Sequence, residues 1–110
     1  MKLPTTAVIA PEKVKEYLLS PTPRKRNDKS KWLAKADYKL KEWHKLEKDL
    51  RTQILSQNAV FTEETKYGQM YEIKGILTGP NGKTLSVRTI WMNEHESKLT
   101  KFITMFPDKK

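Results

Sequence analysis

Two stretches of the chain hold residues able to grip a phosphate. Arg24, Lys25 and Arg26 form a basic loop, and Lys29 and Lys31 follow just behind Asp28, where a helix is expected to open. Guanidinium and ammonium groups pair with phosphate oxygens, and the free N–H groups of a helix start add to that attraction. The second stretch is Val87-Arg88-Thr89-Ile90-Trp91. On a strand Val87, Thr89 and Trp91 share one face. Phe102, Thr104 and Phe106 repeat the pattern further along. If the two faces coincide, hydroxyls and aromatic rings lie together on a sheet. The plainer account is a strand core that tolerates threonine.

Other chemistries are poorly supplied. The chain has no cysteine, which removes disulfides, thiolate zinc sites and a cysteine nucleophile together. His44 follows Trp43 in a helical pattern, and His95 sits between Glu94 and Glu96 in a polar turn. Neither has a partner at metal-ligand spacing, so no metal and no cofactor is expected. The segment from Gly75 to Gly82 lacks a phosphate-cradling glycine pattern and reads as hairpin geometry.

Charge strengthens the case for an anionic partner. The formal net charge is +9. Up to Asn58 the chain carries 14 Lys and Arg against 7 Asp and Glu; beyond it, 8 against 6. Such a concentrated basic surface draws in polyanions. A solvated lysine-rich face that merely keeps the protein soluble is the alternative.

The elements that would position these residues follow from periodicity. Pro11 to Leu19 reads as a short helix with Val14, Tyr17 and Leu18 on one face, stopped by Pro21 and Pro23. Lys29 to about Ala36 reads as a second, capped by Asp28 and broken at Asp37-Tyr38. A third runs from Leu40 to near Ser56, where Leu40, Trp43, Leu46, Leu50 and Ile54 step by three or four. Trp32, Trp43, Leu46, Leu50 and Ile54 are expected to be buried. After Asn58 the period becomes two. Strands are expected over Ala59–Thr62, Lys66–Leu77, Thr84–Met92 and Leu99–Phe106, with a turn at Gly79-Pro80-Asn81-Gly82. Helices first and strands afterwards, with connections too short for crossover helices, predict an α+β fold. The chain reads as a single domain over 1–107 with a frayed basic tail, 108–110. No stretch approaches the roughly 18 apolar residues that span a bilayer. A cytoplasmic protein without a membrane partner is expected.

The chain also resembles a small uncharacterised bacterial domain family. The matching residues are Lys2-Leu3-Pro4, Tyr17-Leu18-Leu19, Lys29 with Trp32 and Leu33, and Trp43 with Leu46. The second half matches through Tyr67-Gly68-Gln69-x-Tyr71, Leu77 to Gly82, Val87 to Trp91 and Phe102 to Pro107. That family is similar to the ribonuclease-toxin superfamily that groups barnase, RelE, the colicin nucleases and EndoU. The resemblance implies helices followed by a curved four-stranded antiparallel sheet, RNA as substrate, no metal, and a small acidic antitoxin-like partner. On that resemblance Lys29 matches the family's helix-opening lysine and would hold the phosphate. The logic of such a site, rather than the family pattern, would have Thr89 bond the reacting ribose or phosphate, with Arg24 and Arg88 as supporting cations. In the family pattern a histidine precedes the lysine by about six residues; Pro23 stands at that place here. Three functions are therefore open. The chain is a metal-independent ribonuclease, a nucleic-acid-binding module that does not cut, or an interaction domain whose basic face meets an acidic partner.

Overall fold

A computed structural model describes residues 2–15 and 29–108, with the side chains of 29–31 outside that description. Its architecture is α+β: a few short helical pieces, then one four-stranded antiparallel sheet in the order β1-β2-β3-β4. The strands are β1 (Val60–Glu64), β2 (Gly68–Thr78), β3 (Thr84–Glu94) and β4 (Thr100–Pro107). The change of hydrophobic period after Asn58 thus marks the start of the sheet.

The helical half is more broken than the sequence suggests. Residues 11–15 form a helical turn that buries Val14 completely; the rest of the expected first helix lies outside the described residues. Helix α1 spans Lys29–Ala34. It stops because Asp37 takes a left-handed conformation, φ 69°. The Tyr38 N–H then reaches back to Leu33 O at 3.2 Å and the Asp37 N–H to Ala34 O at 2.9 Å. Those two bonds satisfy orphan carbonyls and fold buried Tyr38 onto buried Leu33.

The next helical run begins as a 3-10 turn (Leu40–Glu42), continues as α2 (Trp43–Asp49) and ends as a π turn (Leu50–Ile54). The Leu55 N–H bonds Leu50 O at 2.8 Å, which widens the last turn. Leu46, Leu50, Ile54 and Leu55 all reach the core. Each such side chain is worth about 1.5–3 kcal/mol of apolar burial. Trp32 and Trp43, expected in the core, are half-buried and pack against its margin. Their indoles supply apolar area while one edge stays wet.

Helices and sheet meet on one face of the sheet. Ile73, Leu77, Val87, Trp91, Phe102 and Met105 point to that side, and Leu3, Ala7 and Ile9 from the amino-terminal segment complete the core. Trp91 and Phe102 meet edge to face, with ring centroids 5.3 Å apart. Val8 covers the free edge of β4, donating its N–H to Thr100 O and accepting from the Phe102 N–H. Gln53 clips the helical run to the end of β2, exchanging two bonds with the backbone of Thr78. At the adjacent turn Gly79 passes so close to α1's exit that a Cβ would lie 2.1 Å from Ala36 O. Asp108, assigned to the tail, donates its N–H to Ser86 O at 2.8 Å.

Registers decide which side chains share a face. Strands β2 and β3 pair without interruption from Gly68↔Glu94 to Thr78↔Thr84. Between β3 and β4 the register shifts after Ile90: Trp91 faces Phe102, but Ile90 faces Thr104 and Arg88 faces Phe106. Ile103 is the extra residue of a β-bulge. The expected single face of Phe102, Thr104 and Phe106 is therefore corrected. Phe102 and Met105 point to the core, while Thr104 and Phe106 lie on the opposite side.

Candidate nucleic-acid interface

Neighbouring residues of a strand point to opposite faces, which separates two of the candidate site residues at once. Thr89 is fully buried on the helix side of β3. Its hydroxyl donates to Ile73 O at 3.0 Å and accepts from the Trp91 Nε1–H at 2.7 Å. Both bonding capacities that matter are used within the core. Arg88 is on the other face, where its Nε lies 3.3 Å from Glu72 Oε2 and its guanidinium 5.7 Å from the centre of the Phe106 ring. The fold thus does not bring Arg88 and Thr89 to one ligand. Lys29 begins α1, but its side chain and that of Lys31 lie outside the described residues. So do Arg24, Lys25 and Arg26 entirely.

The described part of the basic half has its own geometry. Lys41, His44, Lys48 and Thr52 are spaced by three or four residues along the helical run and all are exposed, so they form one stripe. Its acidic neighbours are mostly committed elsewhere. Asp49 binds Lys45 at 3.1 Å, and Glu47 binds Arg51 at 3.4 Å. Arg51 also donates to Ala7 O at 2.8 Å, which ties it to the amino-terminal segment. Lys41 and Lys48 have no acidic partner among the described residues, nor have exposed Lys35 and Lys83. The stripe's spacing is legible in the sequence. Which lysines are neutralised is not, because that depends on where Asp49 and Glu47 point. His44 stacks on Trp43 at 3.7 Å between centroids, and the Lys15 ammonium sits 5.5 Å from the Trp43 ring. The stripe therefore continues into an aromatic and cationic margin.

Two further clusters are structural in character. Asp49 is 3% exposed and accepts from the Tyr38 hydroxyl at 2.6 Å beside its ion pair with Lys45. Burial, then the bond to Asp49 and its negative charge, push the Tyr38 hydroxyl well above the usual tyrosine range. At the far end of β3, a hydrogen bond from Ser97, and then Lys101, hold the Glu94 carboxyl below its ordinary range. There His95 Nε2 lies 2.6 Å from Glu64 Oε2, so the histidine that reads as a solvated turn residue has a carboxylate partner.

Among the described residues no group of three or more histidine, cysteine or acidic side chains could hold a metal ion. No helix among them is long and apolar enough to cross a membrane. No curated protein and no solved structure matches the chain. A family profile does, over residues 2–109, nearly its whole length. The resemblance to an uncharacterised domain family holds on that match, without an activity attached to it. The chain belongs to the family described as a domain of unknown function, DUF6883.

Proposed function

We propose that this domain binds RNA through its basic helical half. The supporting observation is the stripe of Lys41, His44 and Lys48, exposed and free of acidic partners at its lysines, in a chain of net charge +9. A row of ammonium groups along a helix displaces the counterions that phosphates carry, and this release drives association. The basic loop Arg24–Arg26 and Lys29 and Lys31 belong to the same half of the chain and add to its net charge.

Metal-independent cleavage is the narrower form of this reading. It would use Lys29 to hold the phosphate, while buried Thr89 supports the sheet from within. The bond to the reacting ribose or phosphate must then come from a group other than Thr89, and Pro23 stands where the family pattern has histidine.

Fluorescence anisotropy of a labelled single-stranded RNA across a salt series is the test. Affinity should fall with a log–log slope of roughly −0.7 per phosphate contact. Lys41→Ala and Lys48→Ala should each make that slope shallower by about 0.7. A flat salt response of the wild type defeats the proposal. Equal affinity for polyglutamate would redirect it to an acidic protein partner. Gel analysis of the same RNA in excess chelator, wild type against Lys29→Ala, reads cleavage, with a 2′,3′-cyclic phosphate as the expected end.

A further inference from the structure

The turn between β1 and β2 presents an aromatic ring to solvent on a rigid mount. Tyr67 is 63% exposed. Its position is tightly set. The Thr65 hydroxyl accepts from the N–H groups of Tyr67 at 3.2 Å and Gly68 at 3.1 Å, and donates to Gly68 O at 2.8 Å. The Tyr67 carbonyl accepts from the His95 N–H at 2.9 Å, which fastens the turn to the β3–β4 connection. Gly68 is needed for that closeness, since a Cβ there would stand 2.3 Å from Asn93 O. The Lys66 ammonium lies 5.0 Å from the centre of the Tyr67 ring. The exposed imidazole of His95 is beside the same turn, held by Glu64.

A solvent-facing ring on a hydrogen-bonded turn, with a cation beside it, offers a platform for an unpaired nucleobase. The base stacks on the ring and the cation meets the neighbouring phosphate. A duplex keeps its bases inside and, apart from its two end pairs, offers the ring no base face to stack on. Local formal charge here is slightly negative: Glu63, Glu64, Glu94 and Glu96 are four carboxylates against Lys66, Lys98 and Lys101, with Glu94 paired to Lys101. Stacking, rather than counterion release, would therefore supply the affinity at this end.

We infer that the Thr65–Gly68 turn is a base-stacking site for single-stranded RNA, with Tyr67 as the platform and Lys66 as its phosphate contact. The inference rests on the RNA-binding reading above and names the form of RNA it takes. The probes are an oligoadenylate of about a dozen nucleotides and a blunt RNA duplex of equal length, each titrated at several salt concentrations. Tyr67→Ala should weaken the single strand about 5- to 150-fold, the range for loss of one base–aromatic stack. Its salt slope and its affinity for duplex should stay at wild-type values, and Tyr67→Phe should retain most single-strand binding. Melting temperature, read alongside, should not move, because the ring is exposed. Unchanged single-strand affinity in Tyr67→Ala overturns the stacking site and leaves the basic stripe standing. A parallel loss on duplex also overturns it. If the wild type binds neither probe, the RNA-binding reading fails and the stacking site with it.

Discussion

Thr89→Val separates a structural threonine from a catalytic one. Valine keeps the branched shape and removes the hydroxyl, so the pocket stays filled while two hydrogen bonds vanish. The Trp91 Nε1–H loses an acceptor at 2.7 Å with no exposure to water, and Ile73 O loses a donor at 3.0 Å. Leaving a buried donor unsatisfied costs about 1–3 kcal/mol. With an unfolding entropy of about 2.1 cal/mol/K per residue, a chain of this length shifts its melting temperature by about 4 °C per kcal/mol. Thr89→Val should therefore melt about 4–13 °C lower. Thr89→Ser keeps the hydroxyl and loses one buried methyl, so it should lose less, near 1 kcal/mol. Circular dichroism melts give the stabilities, and RNA affinity well below the melt gives the function. The expected outcome is a less stable protein whose RNA affinity equals that of the wild type. A Thr89→Val protein as stable as wild type that has lost RNA binding or cleavage would refute it, and would return Thr89 to the site.

Tyr38→Phe removes a hydrogen bond to a buried carboxylate and should cost about 1.5–3 kcal/mol. The pH dependence has a definite sign. The folded pKa of Tyr38 is raised, so its contribution is complete below the unfolded value near 10 and is lost as pH climbs beyond it. Wild-type stability should decline above about pH 10 more steeply than that of Tyr38→Phe, with phenolate absorbance reporting the transition. Gly79→Ala should destabilise by about 1–3 kcal/mol or more, because the new methyl meets the backbone of Ala36 rather than a movable side chain. A chemical denaturation midpoint unchanged from wild type would show that the turn can move away from α1.

Much of the sheet was legible along the chain because strand periodicity is local. The four expected strands lie within a few residues of β1 to β4, and the face shared by Val87, Thr89 and Trp91 is buried as a face. The helical stepping of Leu46, Leu50 and Ile54 likewise identified core residues. Apolar spacing sets those outcomes wherever the backbone keeps a regular period.

What local period could not convey is where the period fails. One extra residue at Ile103 sends Thr104 and Phe106 away from Phe102, a shift that exists only in the pairing of β4 with β3. The widened turn at Leu50–Ile54 and the half-burial of Trp32 and Trp43 against the core depend on tertiary packing. The same holds for the chemistry. Residue type marked Thr89 as a hydroxyl able to meet a phosphate; burial committed that hydroxyl to Ile73 and Trp91. Lysine count announced a strongly positive surface, yet folding chose which lysines stay unpaired, by pairing Lys45 with Asp49 and leaving Lys41 and Lys48 in water. Composition and spacing determined the class of fold and the sign of the surface. Long-range register and burial decided which groups a partner can reach.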